Sequence, residues 1–346
     1  MNSVAAALLA LAAGLAVSYL LGFVMIPWLH KLKFGQVILD IGPNWHKNKQ
    51  GTPTMGGFMF AAGTLASVAI VFSTDAIMGG HLVSKGAGLP SDMKTKLFGG
   101  ILMALCFCAV GFVDDYIKVV KKRNKGLSIM QKTVLQFFIC AAYLTGLYLG
   151  MNGKPSMFIP FVGTVSGLYG ILFWPFGLIV IYATINAVNF TDGIDGLCSS
   201  VTAVSALSLG VIAAVAGLFG AAVVACALAG ACAGFFLWNR HPAKVFMGDT
   251  GSMFLGGMMV AIAYAVNCPL ILLPVGIIYF IEGLSDVIQI GYFKLTHGKR
   301  IFKMAPIHHH FEMSGWSENK IVLVFNIVGF AGCVAAAALM YYGRVS

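Results

Sequence analysis

The chain contains about ten runs of mostly apolar residues, separated by short polar or Pro/Gly breaks. A transmembrane helix needs about 20 such residues, and in a bilayer only helices and closed barrels satisfy every backbone hydrogen bond. Only 10% of the residues are charged, against about a quarter in soluble proteins. The sequence therefore predicts an all-α polytopic membrane protein, a single integral membrane domain over residues 1–346. The predicted spans are 4–27, 54–74, 96–117, 131–150, 167–188, 199–217, 219–238, 250–267, 269–293 and 320–342.

The distribution of basic residues indicates the orientation of these spans. The loops after odd-numbered spans hold 17 Lys and Arg, whereas the other loops and the C-terminus hold 5. Because Lys and Arg concentrate in cytoplasmic loops, we expect both termini outside and any chemistry at the cytoplasmic face. The first run lacks the basic start of a signal peptide, so we expect a retained span. Anionic membrane lipid accounts for the net charge of +10, and no nucleic-acid partner is needed.

The eight cysteines point to no metal or redox chemistry. They form no Cys-x-x-Cys pair and no Cys/His zinc spacing, and most lie within apolar runs. We interpret them as small buried hydrophobic residues.

Two adjacent acids, Asp114 and Asp115, end predicted span 3 just before Lys118. A helix C-terminus disfavours each negative charge by up to about 1 kcal/mol, and neighbouring carboxylates also repel each other. Two interpretations remain open. The acids pair with Lys118 at a solvated helix end, or they hold a hard cation or accept a proton beside a phosphate.

The segment NAVNFTDGIDG at 186–196 closes predicted span 5. Asp192 and Asp195 are each followed by glycine, which is typical of a turn that simply ends a helix. A turn does not explain Asn186 and Asn189, which lie three apart on one face of an apolar span. Polar groups at membrane depth usually line an interior site.

Two later segments also combine polar residues with predicted helix ends. In NRHPAKVFMGDTGS at 239–252, Asp249 or Thr250 either caps span 8 or contributes a Mg²⁺ ligand beside phosphate-binding amides. In APIHHHFE at 305–312, three successive imidazoles cannot all ligate one tetrahedral ion, so we expect no structural zinc. Those histidines are phosphate donors, proton carriers or part of an exposed loop.

Predicted span 9 carries two acids, Glu282 and Asp286, on one helix face. Intramembrane acids are usually functional, although they also hold helices together. Gly283 lies between them, and we expect the helix to bend there.

These clusters, in this order on ten spans, resemble the polyprenyl-phosphate N-acetylhexosamine-1-phosphate transferase superfamily. The motifs are D-D-x-x-K in span 3, N-x-x-N-x-x-D-G-x-D-G in span 5 and the H-H-H loop. The segments GTPTMGG at 51–57 and APIHHHFE at 305–312 resemble the branch that uses UDP-N-acetylmuramoyl-pentapeptide. The resemblance runs from about Phe34 to the last span.

The resemblance implies transfer of phospho-N-acetylmuramoyl-pentapeptide from its UDP form to polyprenyl (undecaprenyl) phosphate. The products are lipid I and UMP, in the first membrane step of bacterial peptidoglycan synthesis. It also implies a Mg²⁺ cofactor that Mn²⁺ can replace, a location in the inner membrane, a homodimer, and inhibition by uridine-containing nucleosides. The same residues suit direct attack by the lipid phosphate or a covalent phospho-enzyme, and we favour direct attack.

The resemblance further implies roles for individual residues. It makes Asp249 the principal Mg²⁺ ligand, places Asp114 and Asp115 beside the metal, and makes Asp114 the base that deprotonates the lipid phosphate. It completes the metal and phosphate pocket with Asn189, Asp192, Lys118 and Lys132. It assigns uridine recognition to Asp195, Asn239 and Phe246, the pyrophosphate and sugar to His308, His309 and His310, and the nucleotide side to Lys47 or Lys49. Thr52, Asn186 and Gln289 are further substrate-binding candidates.

Two alternative functions are open at this point. A sister enzyme would transfer N-acetylglucosamine-1-phosphate from its UDP-sugar, although the GTPTMGG and APIHHHFE segments argue against it. A secondary transporter also has about ten spans and buried acids. Its polar residues would lie near the bilayer midplane, whereas most acids here collect at one predicted membrane face.

Overall fold

The computed structural model describes residues 2–32, 49, 51–80, 82, 91–121 and 125–345 as a helical bundle with one small hairpin. The helices follow the predicted apolar runs, and the all-α polytopic class is confirmed. The elements are α1 Ser3–Lys31, α2 Gly57–Ile77, α3 Ser91–Val120, α4 Ile129–Gly150, β1 Met157–Ile159, β2 Gly163–Val165, α5 Gly167–Thr191, α6 Leu197–Val215, α7 Phe219–Asn239, α8 Gly248–Ala265, a 3₁₀ turn Pro269–Ile271, α9 Leu272–Val275, α10 Ile277–Leu295, α11 Ile307–Glu312 and α12 Glu318–Val345.

Within these described ranges, eight helices are long and apolar enough to cross a membrane, and a bent pair of helices makes a ninth. The eighth predicted span, 250–267, corresponds to α8, which forms a helix but falls outside that set. Asp249 lies in its first turn, and every residue from Thr250 to Ala265 is buried. Because protein rather than lipid surrounds α8, its sequence need not be strongly apolar. The count of ten and the orientation therefore stay predictions.

Small residues allow α1 to pack closely against the central helix α7. The buried positions of α1 recur every four residues and include Ala6, Ala10 and Gly14. On α7, a Cβ atom at Gly230 would overlap the carbonyl oxygen of Leu11. Small residues at four-residue spacing bring helix backbones together in membranes, where van der Waals packing replaces the hydrophobic effect.

The expected bend at Gly283 is wrong, because α10 continues through this residue. The break lies at Gly276, where the segment Pro269–Val275 meets α10 at 85°. Pro274 has no N–H with which to continue a helix. A Cβ atom at Gly283 would make an ordinary van der Waals contact with Ala187 of α5 at 3.4 Å, so packing does not require glycine here.

The cysteines are free, and the interpretation as buried residues holds for all but one. Cys106 is exposed on α3, within a predicted membrane span.

The two strands pair antiparallel with Ile159 opposite Gly163, and the hairpin lies beside Asn267, whose carbonyl oxygen accepts from the Phe158 N–H at 2.7 Å. The polar clusters predicted to be functional lie at the opposite ends of α3, α5 and α8.

Gly230→Ala should lower the thermal stability of the purified protein. The added methyl group overlaps the α1 backbone, and overpacking of this kind costs about 1–3 kcal/mol. Gly146→Ala in α4 is the matched control, because no described atom lies within 4 Å of the position of its Cβ. Melting in detergent, followed by intrinsic fluorescence, compares the two variants. Equal melting temperatures would contradict the close packing of α1 and α7.

Candidate functional site

Three carboxylates and two lysines meet where the end of α3 contacts the start of α8. Oxygen atoms of Asp114, Asp115 and Asp249 lie within 4.8 Å of one another. Lys118 Nζ lies 2.6 Å from Asp114 Oδ2 and 3.2 Å from Asp249 Oδ2. Lys132 Nζ, from α4, lies 2.7 Å from Asp249 Oδ2. We call these five residues the acid–lysine cluster.

Asp115 fixes α8 against α3. Its carboxylate accepts hydrogen bonds from the Thr250 N–H at 2.9 Å, the Thr250 hydroxyl at 2.7 Å and the Asp249 N–H at 3.2 Å. The alternative that Asp249 or Thr250 caps α8 is wrong, because the N-cap residue is Met247, whose side chain makes no capping hydrogen bond. A carboxylate from another helix instead satisfies the first-turn amides.

Asp249 is the most accessible acid of the cluster. Its side chain is 18% exposed, against 5% for Asp114 and 4% for Asp115. Asn189 of α5 donates to Asp249 Oδ1 at 3.0 Å and to the Ser252 hydroxyl at 2.7 Å. Sequence reasoning missed Ser252, although it lies one helical turn from Gly248 on α8. The predicted residues Asn189 and Asp249 are therefore in direct contact.

Asp192 adds negative charge beside this cluster, at the C-terminal end of α5. Burial raises the pKa of Asp192 well above its usual range, and the carboxylates of Asp249, Asp115 and Asp195 raise it further. A dense group of carboxylate oxygens suits a hard divalent cation, whose charge would relieve this repulsion. The donor set is thus compatible with such a metal.

A second polar group surrounds Asp195. Asp195 Oδ1 lies 2.8 Å from Lys49 Nζ, while Oδ2 lies 2.9 Å from His241 Nδ1 and accepts from the Ala243 N–H at 3.0 Å. Glu318, at the start of α12, accepts from the Asp195 N–H at 2.9 Å and lies 2.7 Å from Lys49 Nζ. His241 and Glu318 were not singled out from the sequence, although Glu318 is one of only three glutamates.

Asn239 is buried, and its amide joins two loops. Its Oδ1 atom accepts from the Gly196 N–H at 3.2 Å and the Ser199 hydroxyl at 3.0 Å. Its Nδ2 group donates to the carbonyl oxygen of Val245 at 2.9 Å. The amide therefore fixes the position of the loop that carries the next predicted residue, Phe246.

Phe246 is half-buried on a loop that is held by backbone hydrogen bonds. Its N–H donates to the Pro53 carbonyl oxygen, and its carbonyl oxygen accepts from the Gly56 N–H, each at 2.8 Å. These contacts place the GTPTMGG segment beside Phe246. Thr52 is partly exposed in that segment, and Lys47 lies outside the described residues.

The three successive histidines occupy different environments on α11. His308 is fully buried, with Nδ1 3.0 Å from Glu282 Oε2. His309 is partly buried, with Nδ1 2.6 Å from Glu312 Oε2. His310 Nδ1 accepts from the Lys303 N–H at 3.1 Å. Glu282, one of the two acids of predicted span 9, thus has a defined partner in His308.

Two predicted substrate-binding residues hold parts of the protein together. Asn186 Nδ2 donates to Gln136 Oε1 at 3.2 Å and to the Tyr182 carbonyl oxygen at 2.8 Å, which joins α4 to α5. Gln289 Nε2 donates to the Phe302 carbonyl oxygen, and Gln289 Oε1 accepts from the Phe302 N–H, each at 3.0 Å. These contacts show a structural role for both residues.

Ionisable residues gathered at one end of a bundle of apolar helices indicate a functional site of a membrane protein, and acids beside lysines suit a divalent metal and phosphate groups. The Glycosyl transferase family 4 pattern matches residues 97–267. A phospho-N-acetylmuramoyl-pentapeptide-transferase of Clostridium perfringens (strain 13 / Type A) is 44% identical over 93% of this chain and 95% of its own length. Proteins with the same name from Clostridium novyi and Acetivibrio thermocellus are 43% and 44% identical, over 92% of this chain and 92% and 91% of their lengths. The chain belongs to the phospho-N-acetylmuramoyl-pentapeptide-transferase family.

Asp115→Asn and Asp114→Asn should have different effects. At position 115 the new NH₂ group would face donors of the first turn of α8, and an unsatisfied buried donor costs about 1–3 kcal/mol. That variant should melt at a lower temperature and lose activity. Asp114→Asn should lose activity with a smaller change in stability, because Asp114 accepts a single backbone bond from the described residues, that of the Leu127 N–H. Thermal melts and turnover of both variants test this, and equal melting temperatures would contradict the capping role.

Proposed function

We propose that the protein transfers phospho-N-acetylmuramoyl-pentapeptide from UDP to undecaprenyl phosphate, which yields lipid I and UMP. An oxygen of the lipid phosphate attacks the β-phosphorus of the UDP-sugar, and the bond to UMP breaks with its electron pair on UMP. The observation that carries this proposal is the acid–lysine cluster at one end of an apolar helical bundle. The names of the relatives support the choice of UDP-sugar.

We propose Mg²⁺ as the cofactor, with Mn²⁺ able to replace it. Asp249, the most accessible acid of the cluster, would hold the ion with Asp114, since their carboxylate oxygens lie within 4.8 Å of each other. Asp192, which interacts electrostatically with Asp249, would be a further ligand. When bound, the ion supplies positive charge against the phosphate oxygens and polarises the phosphorus centre. Asp115, occupied by the α8 amides, would act beside the metal by fixing Asp249.

The two lysines and Asp114 would act on the phosphates directly. Two phosphate-bearing substrates bring several negative charges together, and Lys118 and Lys132 place positive charge where these would meet. Asp114 would accept the proton of the lipid phosphate, with Lys118 2.6 Å from its carboxylate. Direct attack needs no intermediate on the protein, which is why we favour it over a phospho-enzyme.

The nucleotide would lie over the second polar group. Lys49 and Asp195 face each other there, and Asn239 holds the loop that presents Phe246. Uracil is flat, so the half-buried ring of Phe246 offers a stacking surface. We assign Thr52 to the same side of the pocket, and the pyrophosphate and sugar to the histidines of α11.

The polyprenyl tail needs an apolar surface that opens to the bilayer near the cluster. Leu284, Val287 and Ile288 of α10 are exposed, and the break at Gly276 turns this helix by 85°. We propose that the tail lies along α10.

We further propose that the protein works in a bacterial inner membrane, with its site on the cytoplasmic side. It would act as a homodimer, and uridine-containing nucleosides would inhibit it.

A radiolabel assay tests the proposed function. Purified protein receives undecaprenyl phosphate, Mg²⁺ and UDP-N-acetylmuramoyl-pentapeptide, and parallel reactions contain UDP-N-acetylglucosamine. We expect UMP and a lipid-soluble labelled sugar only from the first donor. Transfer from UDP-N-acetylglucosamine alone would assign the protein to the sister reaction, and uptake into vesicles without UMP release would make it a transporter.

Removal of the metal should stop turnover. EDTA should abolish UMP release, and Mg²⁺ or Mn²⁺ should restore it. Asp249→Asn should remain folded but lose turnover even with excess metal, because the amide is a poorer ligand for a hard cation. Turnover is followed by release of UMP, and folding by thermal melts. Full activity of the wild-type protein in EDTA would rule out this assignment.

Phe246→Ala should weaken nucleotide binding. Stacking of a base on an aromatic ring contributes about 1–3 kcal/mol, so affinity for a uridine-containing inhibitor should fall roughly 5- to 150-fold. Isothermal calorimetry measures the affinity, and a thermal melt of the same variant measures stability. A lower melting temperature with unchanged affinity would place Phe246 in the protein core instead.

A further inference from the structure

Glu282 and His308 form a fully buried pair that joins α10 to α11. Each side chain is 0% exposed, and Glu282 Oε2 lies 3.0 Å from His308 Nδ1. The same oxygen lies 3.5 Å from the backbone nitrogen of His308. A buried carboxylate is stable only with a partner of this kind, so the pair fixes the orientation of the imidazole ring.

The outer atoms of this pair have no hydrogen-bond partner among the described residues. These atoms are Glu282 Oε1 and His308 Nε2. Buried polar atoms in proteins are hydrogen-bonded in about 90% of cases or more. An unpartnered Nε2 atom therefore indicates a position where a ligand oxygen or a bound water would complete the bonding.

His308 Nε2 faces the turn that follows α5. A Cβ atom at Gly193 would overlap Nε2, so the missing side chain of this glycine leaves room for the ring. Gly193 directly follows Asp192, whose carboxylate interacts electrostatically with Asp249. The free nitrogen of the buried ring thus lies against the segment that borders the acid–lysine cluster.

The chemistry of the pair determines what Nε2 can do. When Nδ1 donates its hydrogen to the Glu282 carboxylate, the orientation of the ring is fixed. Nε2 then donates a hydrogen when the ring carries both protons, the form that a neighbouring bound anion favours. Its natural acceptor beside the cluster is an anionic phosphate oxygen.

We infer that Glu282 is a positioning residue, which holds His308 so that Nε2 donates to a pyrophosphate oxygen of the UDP-sugar. Charge on that oxygen grows as the bond to UMP breaks, so the donation strengthens during the reaction. The inference rests on the proposed function and extends it to a residue that never touches substrate. Asp286, one turn further along α10, is half-buried, and its carboxylate interacts electrostatically with both Glu282 and His308.

The test compares turnover of Glu282→Gln with that of the wild-type protein and Asp286→Asn. Glutamine keeps the shape and an acceptor oxygen but removes the charge. We expect kcat to fall about 10- to 100-fold, as when a carboxylate that orients a functional imidazole is replaced, with KM for the UDP-sugar and the melting temperature unchanged. Asp286→Asn should lower kcat less than Glu282→Gln does, because the electrostatic effect of Asp286 on the pair does not orient the ring. Wild-type kcat in Glu282→Gln would overturn the inference.

A double variant separates action through His308 from a general structural effect. If Glu282 acts through His308, Glu282→Gln should lower kcat no further in a His308→Asn background. Losses that multiply in the double variant would contradict the inference. If Glu282→Gln does not fold, Glu282→Met replaces it, because an apolar side chain in a buried ionic site is often tolerated. A folded wild-type protein without UMP release would reject the proposed function and the inference with it.

Discussion

The contact between Asp115 and the first turn of α8 determines the geometry of the whole site. Asp115 accepts three hydrogen bonds from Asp249 and Thr250, so the end of α3 and the start of α8 cannot shift independently. The side chain of Asp249 is thereby held at the point where Lys118 and Lys132 converge. The buried carboxylate of Asp115 thus positions the more accessible carboxylate of Asp249, and the adjacent acids of α3 have separate tasks.

The surrounding helices make this arrangement chemically useful. α8 is buried along its length, so the cluster has a rigid, low-dielectric support in which charges act strongly. α10 ends near the same face, and its exposed apolar residues offer a surface for a lipid tail. A water-soluble nucleotide and a membrane-bound phosphate can therefore meet at one charged position, which is what the proposed reaction requires.

The sequence predicts those features that depend on local pattern. Apolar runs give the helices, and Asp114, Asn189 and Asp249 stand out because polar residues rarely end or interrupt such runs. The pairs of Glu282 with His308 and of Glu318 with Asp195 join residues far apart in the chain, and a single sequence contains no signal for their partners. The sequence predicts a bend at Gly283 because glycine permits a kink. Pro274 and Gly276 instead interrupt the helix earlier, between α9 and α10.

We propose that Asp249 and its neighbours hold the divalent metal of a phosphoryl-transfer site. Anomalous X-ray diffraction from crystals of the protein grown with Mn²⁺ would locate this metal. We expect a peak about 2.1 Å from an oxygen of Asp249, with Asp114 or Asp192 beside it. A peak at the other acidic group, formed by Asp195, His241 and Glu318, without one at Asp249 would contradict this assignment.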